Sequence, residues 1–221
     1  MVVLATKCYV DGDARERALD SLTSMIEDDV GDLDVETSVG LRDDGFPSVT
    51  VEGADATVAR NLLRERWGEI TPHFEPGETY VGTLESWDDP GFVLDAGREI
   101  HVPRDELGLG PGSPSQIRTR FGLVQHVPLT FVSGDPPRLA EDERDRLYDW
   151  RRGNGRVNVN NATRAEVRAT VNRAGHAHDI VTVERLGLLE SSIVCRENTD
   201  PPGLLASIGE YLPAELLCVV P

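Results

Sequence analysis

Six arginines in two acid-free stretches are the residues of this chain best suited to chemistry with another molecule. Residues 107–134 hold no aspartate or glutamate and carry Arg118, Arg120 and His126. Residues 150–165 also lack acids and carry Arg151, Arg152, Arg156 and Arg164. Guanidinium groups free of carboxylates suit a phosphate backbone, because each can fork two N–H bonds onto phosphate oxygens. Burial also empties a stretch of acids, and for the first window both readings stand. The second window favours a functional face, since four arginines are rarely buried together.

Other chemistry is poorly supported. His176-Ala177-His178-Asp179 offers two imidazoles and a carboxylate. A catalytic zinc needs three placed ligands and an open position, and histidines at a helix end also serve the last carbonyls. No metal is expected there, and no other cofactor. Gly108 to Gly112 lacks the following Lys and Ser/Thr of a phosphate-binding loop, and neither a nucleophile elbow nor a dinucleotide fingerprint is present. No enzyme is expected. Cys8, Cys195 and Cys218 are an odd, widely spaced set, which fits free thiols in a reducing cytoplasm. The opening MVVLATKCYV is too short to span a bilayer, so no membrane association is expected.

The elements that must position the arginines can be read from periodicity. The N-terminal part reads strand (Val2–Val10), helix, hairpin, helix. Asp13 with Glu16 suggests a capping box, and Asp55 a second helix cap. Pro72 and Pro76 mark the exit. Residues 76–132 then alternate as short strands: Tyr80, Gly82 and Leu84 on one face, Phe92, Leu94 and Ala96 likewise, then Ile100 and Val102. That texture is that of a small closed barrel. Glu141–Arg152 reads as a charged helix. Arg156–Asn160 opens a strand, helix, strand, strand, helix, strand succession, with Thr163 and Glu166 as a capping box and Asp200 before Pro201 as a helix start. The expected fold is α+β and multidomain: a ferredoxin/KH-like βαββα domain at 1–73, an S1-like OB barrel at 74–137, and a ferredoxin-like βαββαβ domain with a leading helix at 138–221.

Charge is spread unevenly along the chain. The chain has 39 acids, 21 arginines and one lysine (Lys7), for a net charge of −17. The excess is concentrated in residues 1–97, with 22 acids against 7 bases, whereas residues 98–185 carry 12 acids and 14 bases. An acidic, lysine-poor surface fits a cytoplasm near molar salt, where the Debye length is about 3 Å and self-repulsion is screened. The acidic N-terminal domain is an expected docking surface for a protein partner.

Two resemblances extend this reading. Pro76-Gly77-Glu78, Gly82-Thr83-Leu84, Asp88 to Val93 and Val102-Pro103 make the barrel segment resemble an S1-like OB fold. The resemblance implies RNA bound on the second and third strands, and nominates Phe92, Arg98 and His101, with Tyr80 or Trp87 beside them. With 5% aromatic residues, base stacking is sparse. The whole chain resembles a haloarchaeal form of an archaeal family of uncharacterised proteins with a central OB part. That likeness implies fold order, not activity. Thr199 to Leu205 resembles the loop-to-helix turn of ACT-type amino-acid sensors. The expected function is a non-enzymatic RNA- or ribonucleoprotein-binding factor in translation, RNA processing or transcription. The alternative is a small-molecule-binding regulator that uses the C-terminal domain.

Overall fold

A computed structural model describes residues 1–221. The chain is mixed α+β, with six helices and three antiparallel sheets that follow one another along the sequence.

The first unit comprises β1 (Val2–Val3), α1 (Gly12–Val30), β2 (Glu36–Leu41), β3 (Pro47–Glu52) and α2 (Ala56–Trp67), with sheet order β1-β3-β2. Beyond β1, Leu4 makes one isolated antiparallel bridge to Glu69. The expected strand over Val2–Val10 therefore stops early. Ala18, Leu22 and Ile26 from α1, and Ala59, Leu63 and Trp67 from α2, form the apolar stripes that cover the sheet. The two expected caps here are not made. Asp11, not Asp13, stands at the start of α1, and its carboxylate is taken by Arg15. Asp55 precedes α2, but its side chain accepts the Asp34 N–H instead, at 2.9 Å.

The second unit holds β4 (Thr79–Ser86), β5 (Gly91–Asp95), β6 (Glu99–Pro103), α3 (Pro114–Phe121), β7 (Pro128–Val132), β8 (Arg138–Leu139) and α4 (Glu141–Arg152). Its sheet runs β6-β5-β4-β7-β8 and curls into a half-barrel, whose end strands β6 and β8 approach without pairing. Leu84, Phe92, Leu94, Ile100 and Val102 all point inward, as the alternation predicts. Helix α4, read above as leading the C-terminal unit, buries Leu147 and Trp150 in this central core.

The third unit contains β9 (Arg156–Val159), α5 (Arg164–Arg173), β10 (Ile180–Arg185), β11 (Ser191–Cys195), α6 (Pro201–Gly209) and β12 (Leu216–Val219), ordered β10-β11-β9-β12. Both expected starts are present: Thr163 and Glu166 form a full capping box, and Asp200 accepts the Gly203 N–H. One cluster joins Val157, Val167, Val171, Ile193, Leu204 and Ile208, so α5 and α6 share a face of the sheet.

The units interlock. The β10–β11 loop reaches into the first unit, where Leu188 and Leu189 complete its core and the Leu188 N–H donates to Thr6 Oγ1 at 2.8 Å. From the other face of the third sheet, Val219 joins the central core.

Candidate nucleic-acid interface

The apolar residues of the first acid-free window are mostly buried. Leu107, Leu109, Ile117, Phe121, Leu123, Val124, Val127, Leu129 and Phe131 all lie in the central core. Acids are missing there because those side chains face one another and not water.

Arg118 and Arg120 leave α3 two residues apart and meet different fates. Arg118 is 7% exposed. It pairs with Glu215 of the third unit and lays its guanidinium over the Trp87 ring, 3.6 Å from the centroid. Arg118 is thus an internal strut, and Trp87 is covered by it. Arg120 donates to the carbonyls of Leu109 and Pro111, at 2.8 Å each, which ties down the glycine-rich loop.

Arg120 does not act alone on that loop. Positions 144, 148 and 151 of α4 lie at i, i+4 and i+7 and so share one stripe. Arg144 packs against Gly108, and Tyr148 Oη donates to the Gly108 carbonyl at 3.4 Å. Gly108 has φ +65°, a conformation that favours glycine, and a Cβ there would displace the Arg144 guanidinium. The buried Phe121 ring is the hub. Tyr148 meets it edge-on at 5.4 Å, and the guanidinium groups of Arg120 and Arg151 lie 5.5 and 6.0 Å from its centroid. No ion pair of the chain includes Arg120, Arg144 or Arg151. Nε of both Arg144 and Arg151 is buried without a hydrogen-bond partner.

The remaining nominated residues lie elsewhere. Phe92 is 1% exposed in the core of the half-barrel and offers no face to a base, because it points inward from β5. Arg98 is exposed and stacks on Phe74 at 4.4 Å, while His101 is exposed beside Glu99 at 3.7 Å. Tyr80 packs against Phe74 and Phe131, and its hydroxyl accepts the Glu75 N–H. The nominated aromatics thus serve packing. Arg152 is exposed and paired with Asp149 at 2.7 Å. Arg156 pairs with Glu184 and stacks on Trp150, and Arg164 donates to the Val183 carbonyl at 2.6 Å. Of the six window arginines, only Arg120 and Arg151 come together unpaired. Sequence reasoning missed Arg144 and Tyr148, although the helical spacing that joins them to Arg151 was available.

A second polar cluster sits where the three units meet. Lys7 bridges Glu85 at 2.9 Å and Asp95 at 2.7 Å. His126 Nδ1 lies 3.2 Å from Glu85 and its ring stacks on Tyr9 at 4.0 Å. Tyr9 Oη donates to the fully buried Glu190 at 2.6 Å and accepts the Asn161 N–H at 2.9 Å. Burial alone would raise Glu85, but hydrogen bonds from His126, Thr83 and Lys7 prevail and bring its pKa down to about 2. Burial pushes Glu190 the other way, up to about 8, against the Tyr9 hydrogen bond.

Neither rival constellation forms an open site. His176 uses both ring nitrogens, on Asp179 at 2.7 Å and Ser207 at 2.8 Å, and no three acids, histidines or cysteines are grouped to hold a metal. The Thr199 to Leu205 turn is closed by capping: Asp200 holds the Gly203 N–H, and Pro201 packs against Gly155. No helix is long and apolar enough to cross a membrane.

Family models match the chain along nearly its whole length, with an N-terminal domain over residues 1–73, a central domain over 74–151 and a C-terminal domain over 154–220. The chain belongs to the DUF2110 family. The DUF2110 central domain takes in α4, and hence the Arg120–Arg144–Tyr148–Arg151 surface in full. Among curated proteins, none matches the chain.

Proposed function

We propose that this protein is a non-enzymatic RNA- or ribonucleoprotein-binding factor whose phosphate-contacting surface is Arg120, Arg144 and Arg151 around Tyr148. One observation carries the reading. In a chain of net charge −17, Arg120 and Arg151 from two helices face the Phe121 ring that Tyr148 meets edge-on, Arg144 packs on the adjoining Gly108 loop, and none of the three has a carboxylate partner. Positive groups interleaved with an aromatic ring track a single strand's phosphates while one base stacks. The glycine-rich loop holds the cluster in place, so little side-chain entropy remains to be lost on binding.

The folds support the same class. The central order β6-β5-β4-β7-β8, with α3 between its third and fourth strands, is read as an OB barrel of the S1 kind. The third unit's order is read as ferredoxin-like, and the first unit as a relative of it whose fourth strand is reduced to the Leu4–Glu69 bridge. Modules of these kinds serve translation, RNA processing and transcription, and the acids of the first unit would face a protein partner there.

The test is binding of the purified chain to a fluorescent single-stranded RNA across a salt series. Three phosphate contacts give a log–log salt slope of about −2 for single strands. Arg144→Glu with Arg151→Glu should abolish binding while leaving the fold intact by circular dichroism. Undiminished affinity in that variant, or binding without salt dependence, would overturn the reading.

A further inference from the structure

At the end of β10 one arginine is half-buried without an ion pair. Arg185, at the end of β10, lies on the Trp67 indole with its guanidinium 3.7 Å from the ring centroid. Its one hydrogen-bond contact is from Nη1 to the sulfur of Met25, at 3.8 Å, and no ion pair includes it. Burial lowers its pKa; Asp29 opposes this, and Arg66 and Arg164 act with burial. Asp29 is already engaged by Arg66 at 3.0 Å. A half-buried cation in this position is costly until an anion reaches it.

Space for such an anion is present. Arg185 opens on a cavity of about 350 Å³ where the three units meet, with Arg66 and Arg146 also in its wall. Three acids share that wall. Glu143 is taken by Arg146 and by the Thr130 N–H, and Glu65 and Asp142 are exposed to solvent. The buried Nε1 of Trp67, another wall residue, has no partner. A guanidinium that stacks by its face keeps its N–H edge for a forked contact, which matches phosphate geometry. The volume lies at the lower end of small-molecule sites, enough for one phosphate with a nucleoside-sized body.

We propose that this cavity binds a phosphate-bearing small molecule of mononucleotide size, held by Arg185 on Trp67 with Arg66 and Arg146. Arg146 leaves α4 on a different side from the Arg144–Tyr148–Arg151 stripe, so the site is separate from the proposed RNA surface.

The experiment titrates the full chain with a nucleoside monophosphate, its parent nucleoside and inorganic phosphate, following tryptophan fluorescence and the thermal transition. The nucleotide should raise the transition and change the fluorescence, phosphate should do so more weakly, and the nucleoside should do neither. Arg185→Met keeps an unbranched side chain on Trp67 but removes the charge. It should weaken nucleotide binding about ten- to a hundredfold, the range for hydrogen bonds to a charged group, and leave the ligand-free transition at or above that of wild type. Arg144→Glu with Arg151→Glu should leave the response unchanged, so failure of the RNA reading would not imitate failure here. Equal responses to nucleotide and nucleoside, a response to phosphate alone, no response at all, or an Arg185→Met variant that binds like wild type would each overturn the proposal.

Discussion

The cluster at the junction of the three units and the cluster around Tyr148 are both built from cations and an aromatic ring, yet they are opposites. At the junction every cation is answered. Lys7 has two carboxylates, and His126 has Glu85. Around Tyr148 the arginines hold carbonyls or nothing, and all their charge remains unanswered. Paired charge across domain boundaries fixes one arrangement of the chain. Unpaired charge on rigid helices costs stability and leaves the surface available to a partner. The difference separates charges spent on holding the fold from charges the fold leaves unpaired.

The comparison can be broken most forcefully at Glu85. Glu85→Ala takes the shared carboxylate from Lys7 and His126 while Asp95 stays on Lys7, and should cost about 2 kcal/mol, as losing hydrogen bonds to a charged group does. Denaturant unfolding at fixed salt measures it; a loss below that of an average surface substitution would show that the junction is not a lock. The effect at Glu190 is confined to a pH window. An acid whose folded pKa is about 8 against its ordinary 4.5 binds more protons folded than unfolded between those values. Its contribution is therefore complete below the lower value and is lost as pH rises toward the upper, by up to about 1.4 kcal/mol per pH unit. Glu190→Gln keeps the acceptor for Tyr9 and removes the titration, so the variant should gain on wild type steadily as pH is raised through that window. Parallel stability curves would refute this. Glu85 has the opposite sign: its contribution is present above its ordinary value and is lost as pH falls toward about 2. The smallest effect belongs to Arg152. It and Asp149 are 70% exposed, and surface pairs of that kind contribute little. Arg152→Ala should leave both the unfolding midpoint and RNA affinity unchanged, and a loss of RNA binding would extend the open surface past Arg151.

What could be read from the sequence was what is local. The inward alternation of the barrel strands, the Thr163–Glu166 box and the bounds of α4 all depend on residues within a few positions of one another. Arg118 was misplaced because its partner, Glu215, lies 97 residues away, and nothing near Arg118 signals an ion pair. Lys7 and Glu85, 78 residues apart, were equally hidden. Phe92 was nominated by resemblance alone, although its own alternation with Leu94 placed it inside. Asp13 and Asp55 show the limit of local rules: an aspartate can cap, but Asp11 had Arg15 and Asp55 had the Asp34 N–H to satisfy. The Arg144–Tyr148–Arg151 stripe was obscured by the five acids that share its helix.

The loop between β10 and β11 has a consequence for how the chain comes apart. Leu188 and Leu189 finish a core that begins at Val2, and Val219 finishes one that begins at Leu84. A segment cut at residue 73 or at 153 would therefore lose part of its own interior along with a neighbour. The boundaries along the sequence are not seams in the folding free energy, and the three units are expected to melt together in one cooperative transition.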